Sequence, residues 1–459
     1  AIYLINEESS ENPFPGIRST TGQPGPTRSG RVCSSAADTS CFYGNGVTKA
    51  TAIIPVCESA SSKDCVVSLE LAGTDGVFHS AKFVRKVIGE EFPAVPEANF
   101  PGATSTSLWE VPQVLSASGT STYSVTVTES LDYKYSTGKW SVVAVDAKVV
   151  PYREATGSYI QPKQITEKNQ WGNDYPGATG FAHECAWQEV GKCGRPQDFA
   201  PETQVRLSIR VSDKVGGWFR GRLKAPQISV NSFSSDTNLL TIEAAPVGVS
   251  RTQIVRDIKD LSAVEKKYMA ANGFTDKTTS VKNWSSASNS DAFNVIEAFR
   301  AGQRDTASGT NTYWGFGTIP NVKGNKCLTD KTRVLGIVTT NAMAYDGGAP
   351  AFTGGFFNYT VGGLHYLPGG KDLSLGSYDL VMRSDTARCL YGFSNAPLSA
   401  TVTVVNDKGS KVTATSVVSE KNGWLKMAAY GFTFSDKTIK VKITKKAVKP
   451  KAKPAPKKR

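Results

Sequence analysis

Along most of the chain, apolar and polar residues alternate with a period of two, the spacing of a strand with one buried face. "CVVSLELAG" from Cys65 and "TYSVTVTES" from Thr122 show it, and "WSVVAVDAKVV" from Trp140 is a longer extended candidate. In "TQVRLSIRVSD", Val205, Leu207, Ile209 and Val211 fall on one face, with Arg206, Ser208 and Arg210 on the other. That pattern predicts a half-buried strand with a basic outer face. Near the C-terminal end "SATVTVVND", "KVTATSVVSEKNGWLKM" and "KTIKVKITK" repeat the alternation, with turn residues at Asp407 to Gly409 and at Asn422-Gly423.

A helical period emerges only between about 252 and 301. Ile254, Ile258, Leu261 and Val264 recur at three- and four-residue spacing, and Gly273 suits a C-cap. "SDAFNVIEAFRAG" predicts a second helix, with Asp291 near its start and Gly302 after it. Tyr268 and Met269 read as packing residues. The fold class expected is therefore mostly β and multidomain, with β-sandwich-like units, a minor helical insertion around 252–301 and local disulfides. Five regions follow: an extended Gly/Pro/Ser-rich segment at 1–50, a β domain at 51–165 and a central β-rich domain at 166–385 carrying the helical insertion. A small β-sandwich-like domain at 386–444 and a disordered basic tail at 445–459 complete the chain.

The triplet Tyr-Gly-Phe occurs at 391–393 and again at 430–432, each time beside alternating sequence. Both copies read as turn or bulge devices, in which glycine lets the backbone bend while its aromatic neighbours cover the sheet.

Cysteine changes the picture next. Cys33 and Cys41, Cys57 and Cys65, and Cys185 and Cys193 share one spacing, and Cys327 and Cys389 remain. Such local pairs predict disulfides made outside the reducing cytosol, with Cys327 bonded to Cys389. The gaps are wide for zinc knuckles and the histidines His79, His183 and His365 are scattered, so no metal and no cofactor is expected. A chain beginning at Ala1 fits removal of a signal peptide. No apolar run is long enough for a transmembrane helix.

Residues 445–459, "KKAVKPKAKPAPKKR", contain seven lysines, one arginine and no acid. They account for most of the net charge of +13, so the body is only mildly basic. The tail suits an anionic surface, such as an acidic wall polymer or lipid headgroups. Nothing accompanies it that would read nucleic acid specifically.

The run "GSYDLVMRSDTARCLYGFSNAP" from Gly376, the following Asn422-Gly423-Trp424 and the ending "GFTFSDKTIKVKI" carry a resemblance. Over roughly 355–444 the chain resembles the C-terminal β segment of a group of large, poorly characterised secreted proteins of actinobacteria. Arg388-Cys389 with Tyr391-Gly392-Phe393, and the Trp424 segment, are its most distinctive parts. The resemblance implies an exported or cell-surface protein and carries over no catalytic residues.

Motifs for chemistry are absent. There is no G-x-S-x-G elbow, phosphate loop or calcium loop, and His183-Glu184 is followed by Cys185-Ala186, which breaks a zinc-peptidase helix. Three functions stay open. The leading expectation is an exported, non-enzymatic surface or extracellular structural protein, self-assembling or associated with the cell wall. Its partners would be copies of itself or cell-wall polymer, and exposed strand edges would serve assembly. A glycan-binding adhesin would use Trp171, Tyr175, Trp187, Trp218 and Trp314 as stacking platforms. A glycan-active hydrolase would need two facing carboxylates, for which Glu184 and Glu189 form the best local group.

Overall fold

A computed structural model describes residues 3–6, 31–32, 48–89, 91–134, 136–156, 163–168, 174–179, 185–189, 192–271, 279–284, 290–319, 322, 324–393, 398–406, 411–412, 414–434 and 437–445. The strands that build its cores begin with β1 (Thr48–Ile53), β2 (Cys65–Ala72), β3 (Lys82–Lys86), β4 (Ser107–Glu110), β5 (Thr122–Lys134) and β6 (Lys139–Thr156). Next come β7 (Gln204–Val211), β8 (Gly217–Arg222), β9 (Lys224–Ser232) and β10 (Asn238–Ala245). Helices α1 (Ala263–Ala271) and α2 (Ser290–Phe299) precede β11 (Gly309–Thr318). The chain continues through β12 (Val334–Thr340), β13 (Phe356–Gly362), β14 (Leu375–Arg383) and α3 (Ser384–Tyr391). It ends in β15 (Leu398–Asn406), β16 (Thr415–Lys421), β17 (Trp424–Thr433) and β18 (Lys437–Lys445).

The fold is mostly β and multidomain. One long sheet runs β3–β4–β5–β6–β11–β8–β12–β14–β17–β16, with β1 beside β5, and is antiparallel except at the β8–β12 pair. A second sheet, β9–β10–β7–β2, covers one face of its first part. A third, β13–β18–β15 with short flanking strands, covers the opposite face of its last part.

The sequence explains the arrangement strand by strand. β7 and β10 bury alternate residues, as strands with one wet face must, and Arg206 on the wet face binds Glu70 and Glu243 on the neighbouring strands. The middle strands of the long sheet behave differently. In β12, "VLGIVTT", all seven residues are buried. Val334 and Ile337 enter one core, and Leu335 and Val338 the other. Phe219 and Trp218 divide in the same way, as do Val381 and its neighbours Leu380 and Met382. Two sandwiches therefore share the middle of one sheet. Strand pairing also runs through the expected boundaries at 165 and 385, since β2 pairs with β7 and both β13 and β14 pair with strands beyond 386.

Two local expectations are corrected. The helical period read from Ile254 is a strand, Val247–Asp257, paired with Thr279–Trp284 and with β11, and α1 starts only at Ala263. The β-branched run there accepts strand pairing, and Val264, assigned to the apolar stripe, is 59% exposed. Leu261 and Met269 do pack against Val295 and Phe299, and Tyr268 meets Phe299 edge to face. The second correction concerns the Tyr-Gly-Phe copies. Gly431 (φ 76°) is the bulge of β17 facing the Gly376–Ser377 step of β14, as expected. Gly392 (φ 64°) is instead the left-handed C-cap of α3, its N–H bonded to the Arg388 carbonyl. Both sites demand positive φ, so the same triplet serves two unrelated geometries.

The disulfides Cys57–Cys65, Cys185–Cys193 and Cys327–Cys389 are formed, and Cys33 and Cys41 lie outside the described residues. Cys327–Cys389 spans 62 residues and ties the segment before β12 to α3, whereas the other two span 8 each. Loop-closure entropy makes the long bridge worth about 4 kcal/mol and each short one about 2.5 kcal/mol. Denaturant titrations of the paired Cys→Ser variants are expected to rank them in that order. Equal losses would show that loop length does not govern them.

Candidate functional site

Three of the stacking platforms expected of a sugar binder are buried. Trp218 and Trp314 are buried at 0% and 2% exposure, their indole N–H groups donating to the Leu328 and Ala244 carbonyls. Trp187 is buried against Tyr152, with Arg85 over its ring. All three are core residues and offer no face to a sugar, which corrects their assignment as a platform. Their alternation within strands carries them inward, a consequence that residue type alone did not reveal. Trp171 and the side chain of Tyr175 lie outside the described residues.

Glu189 is likewise structural. Arg85 grips its carboxylate and the Ile88 N–H donates to it at 2.8 Å. Although burial acts against ionisation, these donors hold it below the usual carboxylate range. Its partner Glu184, and His183, lie outside the described residues. His79 pairs with Asp75 at 2.8 Å and His365 with Asp305 at 2.7 Å. Among the described residues no group of His, Cys, Asp or Glu is arranged to hold a metal ion, and no helix is long and apolar enough to cross a membrane.

One ionisable cluster escaped sequence reasoning. Glu129 shares the inward parity of Tyr123, Val125 and Val127 on β5 and is fully buried. A carboxyl group at an apolar position of a strand was the available signal. Among the described residues no N–H or hydroxyl donor reaches either Glu129 oxygen. Its neighbours are the carboxyl groups of Asp64 and Asp213. Asp64 accepts from the Ser212 N–H at 2.6 Å and hydroxyl at 2.7 Å, and Asp213 accepts from the Val142 N–H at 2.7 Å. Burial first, and the neighbouring carboxylates second, push Glu129 well above the usual carboxylate range. Burial also raises Asp64, against the pull of its hydrogen bonds to Ser212. Burial and these neighbours favour the neutral form of Glu129, which sits beside Asp64 where the long sheet meets the end of the sheet that covers it.

A crevice of about 320 Å³ opens beside this cluster, between the β5–β6 hairpin end, the turn at 212–217 and the segment 318–331. Lys134, Asp213, Asp330 and Lys331 supply its charged groups. Asp330 is engaged by the hydroxyl and N–H of Thr332 and by Arg333, which hold it below its ordinary pKa. Two of the crevice's charged groups, Asp213 and Asp330, are therefore engaged in the fold.

The ends of the long sheet offer more. β3 is short, bulged between Phe83 and Arg85, and carries Lys82, Arg85 and Lys86, devices that discourage a further strand. β16 lacks them. It pairs with β17 over all seven residues without a register shift, and six of the seven are exposed. Its first five residues, Thr-Ser-Val-Val-Ser, are uncharged and strand-prone. Among the described residues β16 pairs with β17 alone, so its outer edge is an open template. The Ser416 hydroxyl, bonded to the Val402 carbonyl, fastens it to the facing sheet.

Comparison with protein-family models finds no match to this chain, and comparison with curated proteins finds none either.

The buried acid pair generates a pH test. Because the folded pKa of Glu129 is raised, its contribution is fully present below the unfolded value of about 4.3 and is lost as pH rises toward the folded value. Glu129→Gln keeps the neutral form and a donor toward Asp64. The variant should unfold at a higher temperature than wild type at pH 7, with the difference vanishing near pH 4. Parallel melting curves across that range would show that the carboxyl group is not held neutral.

Proposed function

We propose that this is an exported, non-enzymatic structural protein of the cell surface that self-associates by strand addition. The observation that carries this reading is the long sheet ending, among the described residues, on β16, a regular, exposed edge whose first five residues are uncharged. Three formed disulfides support an oxidising compartment. The resemblance of residues 355–444 to secreted actinobacterial proteins supports the same compartment. Burial of Trp187, Trp218 and Trp314 weighs against the adhesin alternative, and the engagement of Glu189 and Asp330 weighs against the hydrolase.

A second copy fits the edge through a two-fold axis near Val418. Antiparallel pairing about that residue sets Val417 opposite Ser419 and Ser416 opposite Glu420, so no like charges face each other. Val417→Lys alters only an exposed side chain and places two like charges across that axis. Sedimentation equilibrium of the wild-type chain should show mass rising toward a dimer with concentration. The variant should need at least tenfold more protein to reach the same average mass. A wild-type chain that stays monomeric into the millimolar range would overturn the proposal.

A further inference from the structure

The sheet β13–β18–β15 has one face in a core and one in solvent. Ile439, Val441 and Ile443 of β18 are buried, and Lys440, Lys442 and Thr444 are exposed. Strand register places Asn358 and Thr403 on either side of Lys440, and Thr401 beside Lys442. The ammonium of Lys442 also lies over the Phe356 ring, 5.4 Å from its centre. One row further, Thr438 and Val405 lead to the exposed Lys411. The outer face thus carries lysines, threonines, one asparagine and the buried Val405.

Its charge is one-sided. The strands of this sheet contain Lys411, Lys437, Lys440, Lys442 and Lys445 and no aspartate or glutamate. The nearest acid in sequence to its short strand Ala344–Tyr345 is Asp346, whose carboxylate accepts from the Gly348 N–H. Wet strand faces elsewhere in the molecule mix both signs, as Arg206 between Glu70 and Glu243 illustrates. The strands themselves contain no carboxylate, and Asp407 and Asp436, next to them in sequence, lie outside the described residues. β18 also ends at Lys445, the first residue of the basic terminal segment, so face and segment are contiguous in the chain.

We propose that this face binds a linear polyol-phosphate polymer. Lys440 and Lys442 stand two residues apart on one strand, about 6.6 Å along it, a spacing suited to successive phosphates of an extended phosphodiester chain. Thr401, Thr403 and Thr444 add hydroxyl donors for the polymer's oxygens. Single-stranded nucleic acid shares the phosphate spacing, but binding it draws on aromatic platforms for base stacking. The one aromatic residue in this register, Phe356, is half-buried and lies under Lys442. The inference extends the proposed surface role and is independent of the β16 edge, which belongs to the other sheet of the same sandwich.

The test uses the full chain and fluorescent poly(glycerol phosphate). The double variant Lys440→Gln, Lys442→Gln should bind several-fold more weakly than wild type. Its plot of log affinity against log salt should be shallower by about 1.4, the share of two phosphate contacts on a flexible polyanion. A control variant, Lys267→Gln with Lys371→Gln, removes the same charge from exposed positions elsewhere and should bind as wild type does. Circular dichroism and thermal melts check that each variant is folded. Equal binding by wild type and the double variant, or equal loss in the control, would overturn the site. So would equally tight, equally face-dependent binding of an oligonucleotide with the same number of phosphates. The Val417→Lys variant should bind the polymer normally, which separates failure of this site from failure of self-association.

Discussion

The architecture depends on three adjacent strands that must bury both faces at once. β8, β12 and β14 each send successive side chains into different cores, Trp218 and Phe219 being the plainest case. A strand with two dry faces has no room for a solvated side chain, which is why β12 reads as a continuous apolar run ending in two buried threonines. The two sandwiches are consequently not beads on a linker. A disturbance at Ile337 or Val381 is felt in one core, and a disturbance one residue away is felt in the other.

Polar groups within this shared sheet are tolerated only where they find partners. Asp379 on β14 is fully buried, accepts from the Ala225 N–H at 3.0 Å and the Tyr430 hydroxyl, and lies 3.6 Å from the Lys426 ammonium. It thereby fixes β9 of the covering sheet to β14 and β17. Glu129 plays a related part at the other sandwich with a poorer set of neighbours. It has carboxyl groups beside it instead of donors, which together with burial favours its neutral form. The tyrosines of the two Tyr-Gly-Phe copies do comparable work. Tyr430 holds Asp379, while Tyr391 donates to the Gly355 carbonyl and accepts from the Ile443 N–H.

Strand alternation made most of the β elements legible, including the one-sided strands β2, β5, β7 and β18. It failed at Val247–Asp257, where a three- and four-residue apolar spacing mimicked a helix and pairing with β11 and Thr279–Trp284 decided otherwise. α3 was hidden because its eight residues sit between strands and surround a disulfide cysteine. The aromatic residues misled for a related reason. Residue type says what a tryptophan can do, whereas exposure decides what it is free to do, and exposure depends on which sheet covers it.

By itself, the sequence determined the β class, the spacing of the local disulfides, the wet and dry faces of each alternating strand and the concentration of positive charge at the C-terminal end. These are local properties, set by side-chain period, loop length and composition. Only the tertiary structure decided that β8, β12 and β14 serve two cores and that Glu129 faces Asp64. It also decided that, among the described residues, β16 pairs with β17 alone and that Lys440 and Lys442 share a face whose strands contain no acid. Each of these depends on which strands become neighbours, and neighbours far apart in sequence are chosen by the packing of whole sheets.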